Sequence, residues 1–324
     1  MADEAMSQAR LLAESQQWLL SAEQLRTLGA SPSMVTTRLR RGEWRALLHG
    51  VYLVDADMYD EVAPSLLWRA ALMRHGPTAL LVGCTGARAL GIQGLPPGDN
   101  AIEVALVGGP SRVTQPIEAP GGGGEAVVVV RQLAVRGDEV VTVDGLRVRR
   151  ANKTVIDAAL QLDRVHALCA LDSALNLKLL GRDELAAEVV GAARRRGARQ
   201  LRAVAGLADE RAESPLETRI RLACVDGDLA PDELQYEVQQ EPGITVAIGD
   251  LAWLRRRRRP LLGECDGVGV HALPRPLFRD RRRGNVLTGL ACDTVRFTWE
   301  DSLRPAYVQW VVRSAIAADG PIAS

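Results

Sequence analysis

Gly249-Asp250-Leu251-Ala252-Trp253 and Leu262-Gly263-Glu264-Cys265-Asp266-Gly267 are two short apolar runs, and each carries acids. Val246, Ile248, Asp250 and Ala252 alternate along the first run, and Leu262, Glu264 and Asp266 along the second. That is the period of a strand, so each set is expected on one face. A carboxylate on an apolar strand face is disfavoured unless something pairs with it, and a divalent cation is a natural partner. As i and i+2 of one strand, Glu264 and Asp266 point the same way, with side-chain origins roughly 6–7 Å apart. Such a spacing suits acids that share or flank one hard ion. The plainer alternative puts all three acids on the wet side of an antiparallel sheet. The apolar neighbours on the acids' own face favour the metal reading.

Upstream, Glu213-Ser214-Pro215-Leu216-Glu217 is a complete helix-start signal. Ser214 caps, Pro215 takes the first position, and Glu217 stands three residues after the cap. Leu216, Ile220 and Cys224 form the buried stripe, and Glu217 lies on its edge. Either it overhangs the sheet where Asp250 and Glu264 emerge, or it only bonds back to the cap. The pattern continues as a strand over 234–239, the two acid-bearing strands, a helix over 279–290, a strand over 294–299 and a helix over 304–317. In the 279–290 helix Asp280, Arg283, Leu287 and Leu290 share a face. Arg283 is placed to hold a phosphate with its planar fork, or to pair locally with Asp280.

This order resembles the PD-(D/E)XK nuclease superfamily, and more closely its very-short-patch-repair-like branch, over residues 213–317. The resemblance implies an α/β restriction-endonuclease-like domain that gathers Mg2+ (or Mn2+). Glu217, Asp250, Glu264 and Asp266 match the acid positions, and His271 with Asp280-x-x-Arg283 matches the following segment. Asp250 and Glu264 would be the metal ligands, Glu217 and Asp266 would complete the site, and Arg283 or His271 would steady charge. Three departures stand out. The superfamily's Lys is absent, which leaves the base unassigned. Arg255–Arg259 replace a mixed turn, either as a phosphate-binding hairpin tip or as a solvated loop. Cys292-Asp293 stands where a Gly and an aromatic are expected.

The other end of the chain reads as a small helical unit and a hairpin. Ser21 caps a helix over 22–28, Gly29 ends it, and Ser31-Pro32 starts a second helix over 32–41. Val35 and Leu39 face inward, while Ser33, Thr36, Thr37, Arg40 and Arg41 face out. Two short strands over 44–53 then turn near His49-Gly50, and Arg45 lies on the first. Two helices at a sharp turn followed by a β-wing describe a winged helix-turn-helix, whose second helix enters the major groove. Small hydroxyls with arginines suit base edges and phosphates. An ordinary three-helix module with solvated arginines is the alternative. Leu28-Gly29-Ala30-Ser31, Arg38-Leu39-Arg40-Arg41-Gly42 and His49-Gly50-Val51-Tyr52 resemble the N-terminal domain of AbiEi-family type IV antitoxins. These repress their own operons, so the resemblance implies DNA as a partner and a nucleotidyltransferase-type toxin encoded nearby.

Between the ends, residues 61–209 read as an α+β region with a helical connector, similar to the second domain of the same antitoxins. Asp144-Gly145 marks a two-residue hairpin, and the four glycines within 119–125 mark a hairpin tip, because no Lys-Ser/Thr follows to make a phosphate loop. Arg194-Arg195-Arg196 with Arg199 and Arg202 read as a solvated helix face in preference to a nucleic-acid contact. The expected fold class is therefore multidomain α+β: a winged helix-turn-helix over 1–60, an α+β middle region over 61–209, and a nuclease-like domain over 210–324.

Composition bounds this reading. The 324 residues carry zero net charge, so any affinity for nucleic acid comes from local patches and not from a global field. Cys84, Cys169, Cys224, Cys265 and Cys292 are odd in number and widely spaced, which suits buried thiols in a reducing cytoplasm. The four histidines are scattered, which speaks against a structural zinc site. No signal peptide and no membrane span of about 18 apolar residues is visible. Oligomeric state is left open. Two functions follow from the parts: a DNA-binding protein with a Mg2+-dependent endonuclease domain, or an antitoxin-type repressor whose nuclease-like domain is non-catalytic.

Overall fold

The computed structural model describes residues 2–56, 61–97, 101–108, 117–118, 127–131, 133–241, 243–254, 259–266 and 292–317. Among the described residues the fold is mixed α and β with three sheets. The chain divides into two compact units, Met1–Ile92 with Pro96–Ala158, and Gln93–Leu95 with Ala159–Ser324. None of the described helices is long and apolar enough to cross a membrane.

The first unit opens with α1 (Ala2–Ser15), β1 (Leu19–Ser21), α2 (Ala22–Thr27), α3 (Pro32–Arg40), β2 (Trp44–Leu48) and β3 (Val51–Val54). Ser21 and Ser31 are the N-caps of α2 and α3, and each accepts the N–H of its third helical residue. Pro32 occupies the first turn of α3, where a missing N–H costs nothing. The expected hairpin gains a third strand, giving the order β1-β3-β2. Three residues of β1 were too few to show an alternation. Ala9, Ala13, Leu20, Leu25, Val35 and Trp44 close the core under these helices.

The rest of this unit consists of α4 (Pro64–His75), β4 (Ala79–Leu81), α5 (Gly83–Ala89), β5 (Ala101–Leu106), β6 (Ile117–Glu118), β7 (Val127–Val130), β8 (Val140–Val143), β9 (Leu146–Arg149) and α6 (Ala151–Ala159). Its six strands run in the order β6-β7-β5-β4-β9-β8. Asp144 and Gly145 both have positive φ (49° and 73°) and close the β8–β9 hairpin, as a primed two-residue turn requires. The glycine-rich stretch within 119–125 lies outside the described residues. Ala70 and Ala71 of α4 are fully buried among Leu19, Leu53, Leu81, Val104 and Val148, so one core joins the two sheets of this unit.

In the second unit α7 (Arg164–Asn176), α8 (Arg182–Gly191) and α9 (Ala198–Ala205) precede α10 (Pro215–Asp226). There follow β10 (Glu233–Glu241), β11 (Ile244–Trp253), β12 (Leu261–Cys265), β13 (Asp293–Phe297), α11 (Trp299–Ser302) and α12 (Pro305–Ala317). The strands pair in chain order; β10, β11 and β12 are antiparallel neighbours and β13 lies parallel to β12. Leu216, Ile220 and Cys224 of α10 and Val308 and Val312 of α12 pack on Leu251, Trp253, Leu261 and Phe297. The opposite sheet face carries Val238, Ala252, Leu262 and Cys292.

A buried ion pair ties α10 to α7. Asp172, 1% exposed, accepts from Arg221 Nη2 at 2.6 Å, from Thr218 Oγ1 at 2.8 Å and from the Asp209 N–H at 2.8 Å. Replacing one member of such a pair strands the other charge in the interior, at about 3–5 kcal/mol. Arg221→Met is therefore expected to lower the stability of the intact chain by about that amount in urea unfolding. A midpoint equal to wild type would show that the pair does not hold α10.

Candidate functional site

Glu217 is placed by the start of α10. Ser214 Oγ accepts the Glu217 N–H at 3.2 Å, and its hydroxyl donates to Glu217 Oε1 at 2.7 Å. Glu217 Oε2 accepts the Glu213 N–H and Gln235 Nε2, both at 2.9 Å. The side chain thus reaches the cap hydroxyl and the N–H before the cap, and it also touches the sheet. It is 8% exposed. Burial pushes its pKa up from the ordinary 4.5, the hydrogen bonds pull against that, and the charge of Asp250 adds to the rise.

Gln235 makes the contact through an unusual backbone. Glu233 and Leu234 pair with Ala252 and Leu251, and pairing resumes at Tyr236 with Gly249. Between them Gln235 has φ +53°, a conformation costly for a residue with a side chain and one that recurs at functional sites. Asp250 is the strand residue across from this irregularity. On its other side β11 and β12 pair at Leu251 with Gly263 and no further. There Asp250 Oδ2 accepts the Cys265 N–H at 2.7 Å, so a side chain takes the place of the next ladder bond.

Glu264 sits one residue before that N–H and is 5% exposed. The parallel register sets it beside Arg296 of β13, and Arg296 Nε lies 3.0 Å from Glu264 Oε2. The strand ends at Cys265, so the period-two argument does not extend to Asp266, which is exposed and donates its N–H to Phe297 O at 2.9 Å. The Cys265 thiol packs against the core of the second unit, and burial first, then the charges of Asp250 and Glu217, push its pKa up. Among the described residues no group of three or more His, Cys, Asp and Glu stands ready to hold a metal ion. His271, Asp280 and Arg283 lie outside the described residues, as do Arg255–Arg258.

The sequence alone does not point to three participants: Gln235, Cys265 and Arg296. Arg296 had a signal, since a lone charge in Thr294-Val295-Arg296-Phe297 asks for a partner on the neighbouring strand. Gln235 had none, because its role depends on a backbone angle.

In the first unit Ser33, Thr36, Thr37 and Arg40 on α3, Arg41 at its C-terminal cap and Arg45 on β2 are all exposed. The Thr36 and Thr37 hydroxyls donate to Pro32 O and Ser33 O, both at 2.9 Å, within their own helix. Ser33 Oγ lies 2.9 Å from the Ser31 cap hydroxyl. Glu43 pairs with Arg38 and stands 3.8 Å from Arg41 Nη1, which leaves Arg40 and Arg45 as the less neutralised cations of this surface.

No family model matches the chain. Two proteins of Mycobacterium tuberculosis, the uncharacterized proteins MT2308 (strain CDC 1551) and Rv2248 (strain H37Rv), are each 34% identical to it over 151 residues. That stretch is 47% of this chain and 54% of each relative, so the chain spans about half the length of the relatives it matches.

The raised pKa of Glu217 has a signed consequence. A group whose folded pKa is raised contributes stability that is present below the unfolded value of 4.5 and lost as pH rises through the folded value. Wild type should therefore gain stability relative to Glu217→Gln as pH falls from about 8 towards the ordinary glutamate range. Melting curves of both proteins across that range read the difference directly; a constant offset would mean the carboxyl titrates as it does in water.

Proposed function

We propose that this chain is a DNA-binding protein whose second unit is a Mg2+-dependent endonuclease domain. The carrying observation is that Asp250 and Glu264 each stand one residue beyond Leu251 and Gly263, the last paired position of β11 and β12, while Gln235, on the strand beside Asp250, bonds Glu217 at the start of α10. Support also comes from the strand arrangement, three antiparallel strands with a parallel fourth and a helix before them, which resembles the PD-(D/E)XK order. An all-oxygen donor set suits a hard cation, and the charge of Asp250 beside buried Glu217 is one that a cation would relieve. When bound, such an ion supplies Lewis acidity at the phosphate and a more acidic water. The chain's own groups have narrower tasks: Asp250 and Glu264 hold the ion, and Glu217 and Asp266 complete the site. Arg296, which pairs with Glu264, would be within reach of phosphate oxygens if Glu264 held the ion.

In the same reading the first unit supplies DNA recognition as an AbiEi-like winged helix. Helix α3 presents Ser33, Thr36, Thr37 and Arg40 to the major groove, and Arg41 and Arg45 meet the backbone. One observation favours a second function, an antitoxin-type repressor with a non-catalytic second unit acting beside a nucleotidyltransferase-type toxin. Glu264 is already neutralised by Arg296, and a paired carboxylate gains less from a cation than a bare one.

The deciding assay incubates the full-length protein with Mn2+ and duplex, mismatched and single-stranded DNA. Wild type is expected to nick at least one form, and Asp250→Asn to bind DNA equally well but lose most of the rate. If no form is cut while the protein still represses a reporter behind its own promoter, the repressor reading stands alone.

Recognition is tested separately. Thr36→Ala should narrow the affinity gap between preferred and random duplexes, by about 1–3 kcal/mol if its hydroxyl swings to a base edge. Arg45→Ala should weaken both duplexes alike. Equal losses from both variants on every duplex would show that α3 reads no bases.

A further inference from the structure

The second unit carries a concentrated run of arginines on elements other than those that bear the candidate acids. No acid occurs between Val189 and Ala208, and that stretch holds Arg194, Arg195, Arg196, Arg199 and Arg202. All five are exposed. Among the described residues Arg194, Arg196, Arg199 and Arg202 have no ion-pair partner, although many of the chain's other arginines are paired. In a chain of zero net charge, four guanidinium groups within nine residues, none of them in an ion pair among the described residues, are a local concentration of positive charge.

The face is held in place. Ala192, Ala198, Leu201 and Val204 are buried beneath it, which turns the arginines of α9 outward. The turn between α8 and α9 is fixed by Gly197, φ +88°, where a Cβ would come within 2.4 Å of Leu160 O. Arg195 N–H bonds Ala192 O at 2.9 Å, and Gln200 Nε2 bonds Leu162 O at 2.8 Å, closing the turn and pinning α9. The charges are thus presented from a shaped surface and not from a loose tail.

We infer that Arg194, Arg196, Arg199 and Arg202 form a docking surface for the phosphate backbone of duplex DNA, contacting it without reading sequence. The inference rests on the DNA-binding reading and adds to it a second contact surface, on the unit that carries the acids. Charge complementarity selects a polyanion. An anionic membrane fits less well, because the apolar face of α9 is buried in the unit and has nothing to insert. An acidic protein fits less well too, since stable protein interfaces centre on apolar and aromatic side chains. A phosphodiester chain needs only guanidinium groups at intervals along it.

The test measures the affinity of the full-length protein for one duplex across a salt series. Proteins compared are wild type, a variant with all four arginines replaced by Gln, the same four replaced by Lys, and a control with Arg74, Arg150, Arg304 and Arg313 replaced by Gln. Each phosphate that an arginine neutralises adds about 0.9 to the slope of log affinity against log salt, so the Gln variant should show a slope shallower by about 3.6. Affinity at low salt should fall at least about tenfold. The Lys variant should keep the wild-type slope, and the control, with the same net charge change, should change it by less than about 1. A Gln variant that matches the control overturns the inference while leaving DNA binding by the first unit intact. Wild type that binds no duplex removes the DNA-binding reading itself. Loss of binding to phosphatidylserine vesicles in the Gln variant, with DNA binding unchanged, would assign the face to lipid instead.

Discussion

Burying a carboxylate is unfavourable by several kcal/mol unless donors or a cation meet it, and the second unit buries Asp172, Glu217 and Glu264. Each is met in a different way. Asp172 has a full guanidinium, a hydroxyl and a backbone N–H, which makes it a fastener between α7 and α10. Glu217 has neutral donors only, and its pKa rises. Glu264 has the half-exposed Arg296. Burial raises the pKa of Asp172 and Glu217 alike, yet Asp172 joins two helices while Glu217 and Glu264 lie towards the end of the sheet where Asp250 sits.

In both units the candidate residues sit on rigid supports. In the first, α3 and β2 are fastened from behind by Val35 and Trp44, so their outward residues are held by a packed core and not by a loop. In the second, α10 is fixed at its N-terminus by Ser214 and along its length by Asp172, so the position of Glu217 is decided twice. Sites held this way keep their geometry when a partner arrives.

Much of the fold was legible in the sequence because its signals are local. Ser21, Ser31-Pro32 and Ser214-Pro215 announced three helix starts through caps that need no tertiary context. Asp144-Gly145 announced a turn for the same reason. The short strands β1 and β4 were not legible, since three residues cannot display a period. At the acids, alternation placed Asp250 and Glu264 on strands, but the shared face of Glu264 and Asp266 assumed a strand that stops one residue earlier. Arg296 and Gln235 escaped because strand pairing and a positive φ are properties of the assembled sheet.

The fastening of α10 to α7 also decides where this chain can be cut. A fragment starting at about residue 210, where the acid-bearing segment begins in the sequence, would discard Asp172 and leave Arg221 and Thr218 facing an emptied interior. Even a fragment starting at Ala159 would lose Gln93–Leu95, whose Gln93 N–H bonds Ser173 Oγ at 2.9 Å and whose Gly94 is tight enough against Cys169 that a Cβ would come within 2.4 Å. The second unit is therefore discontinuous along the chain, and an insertion or fusion point is safer in an exposed turn than at any simple division into front and back halves.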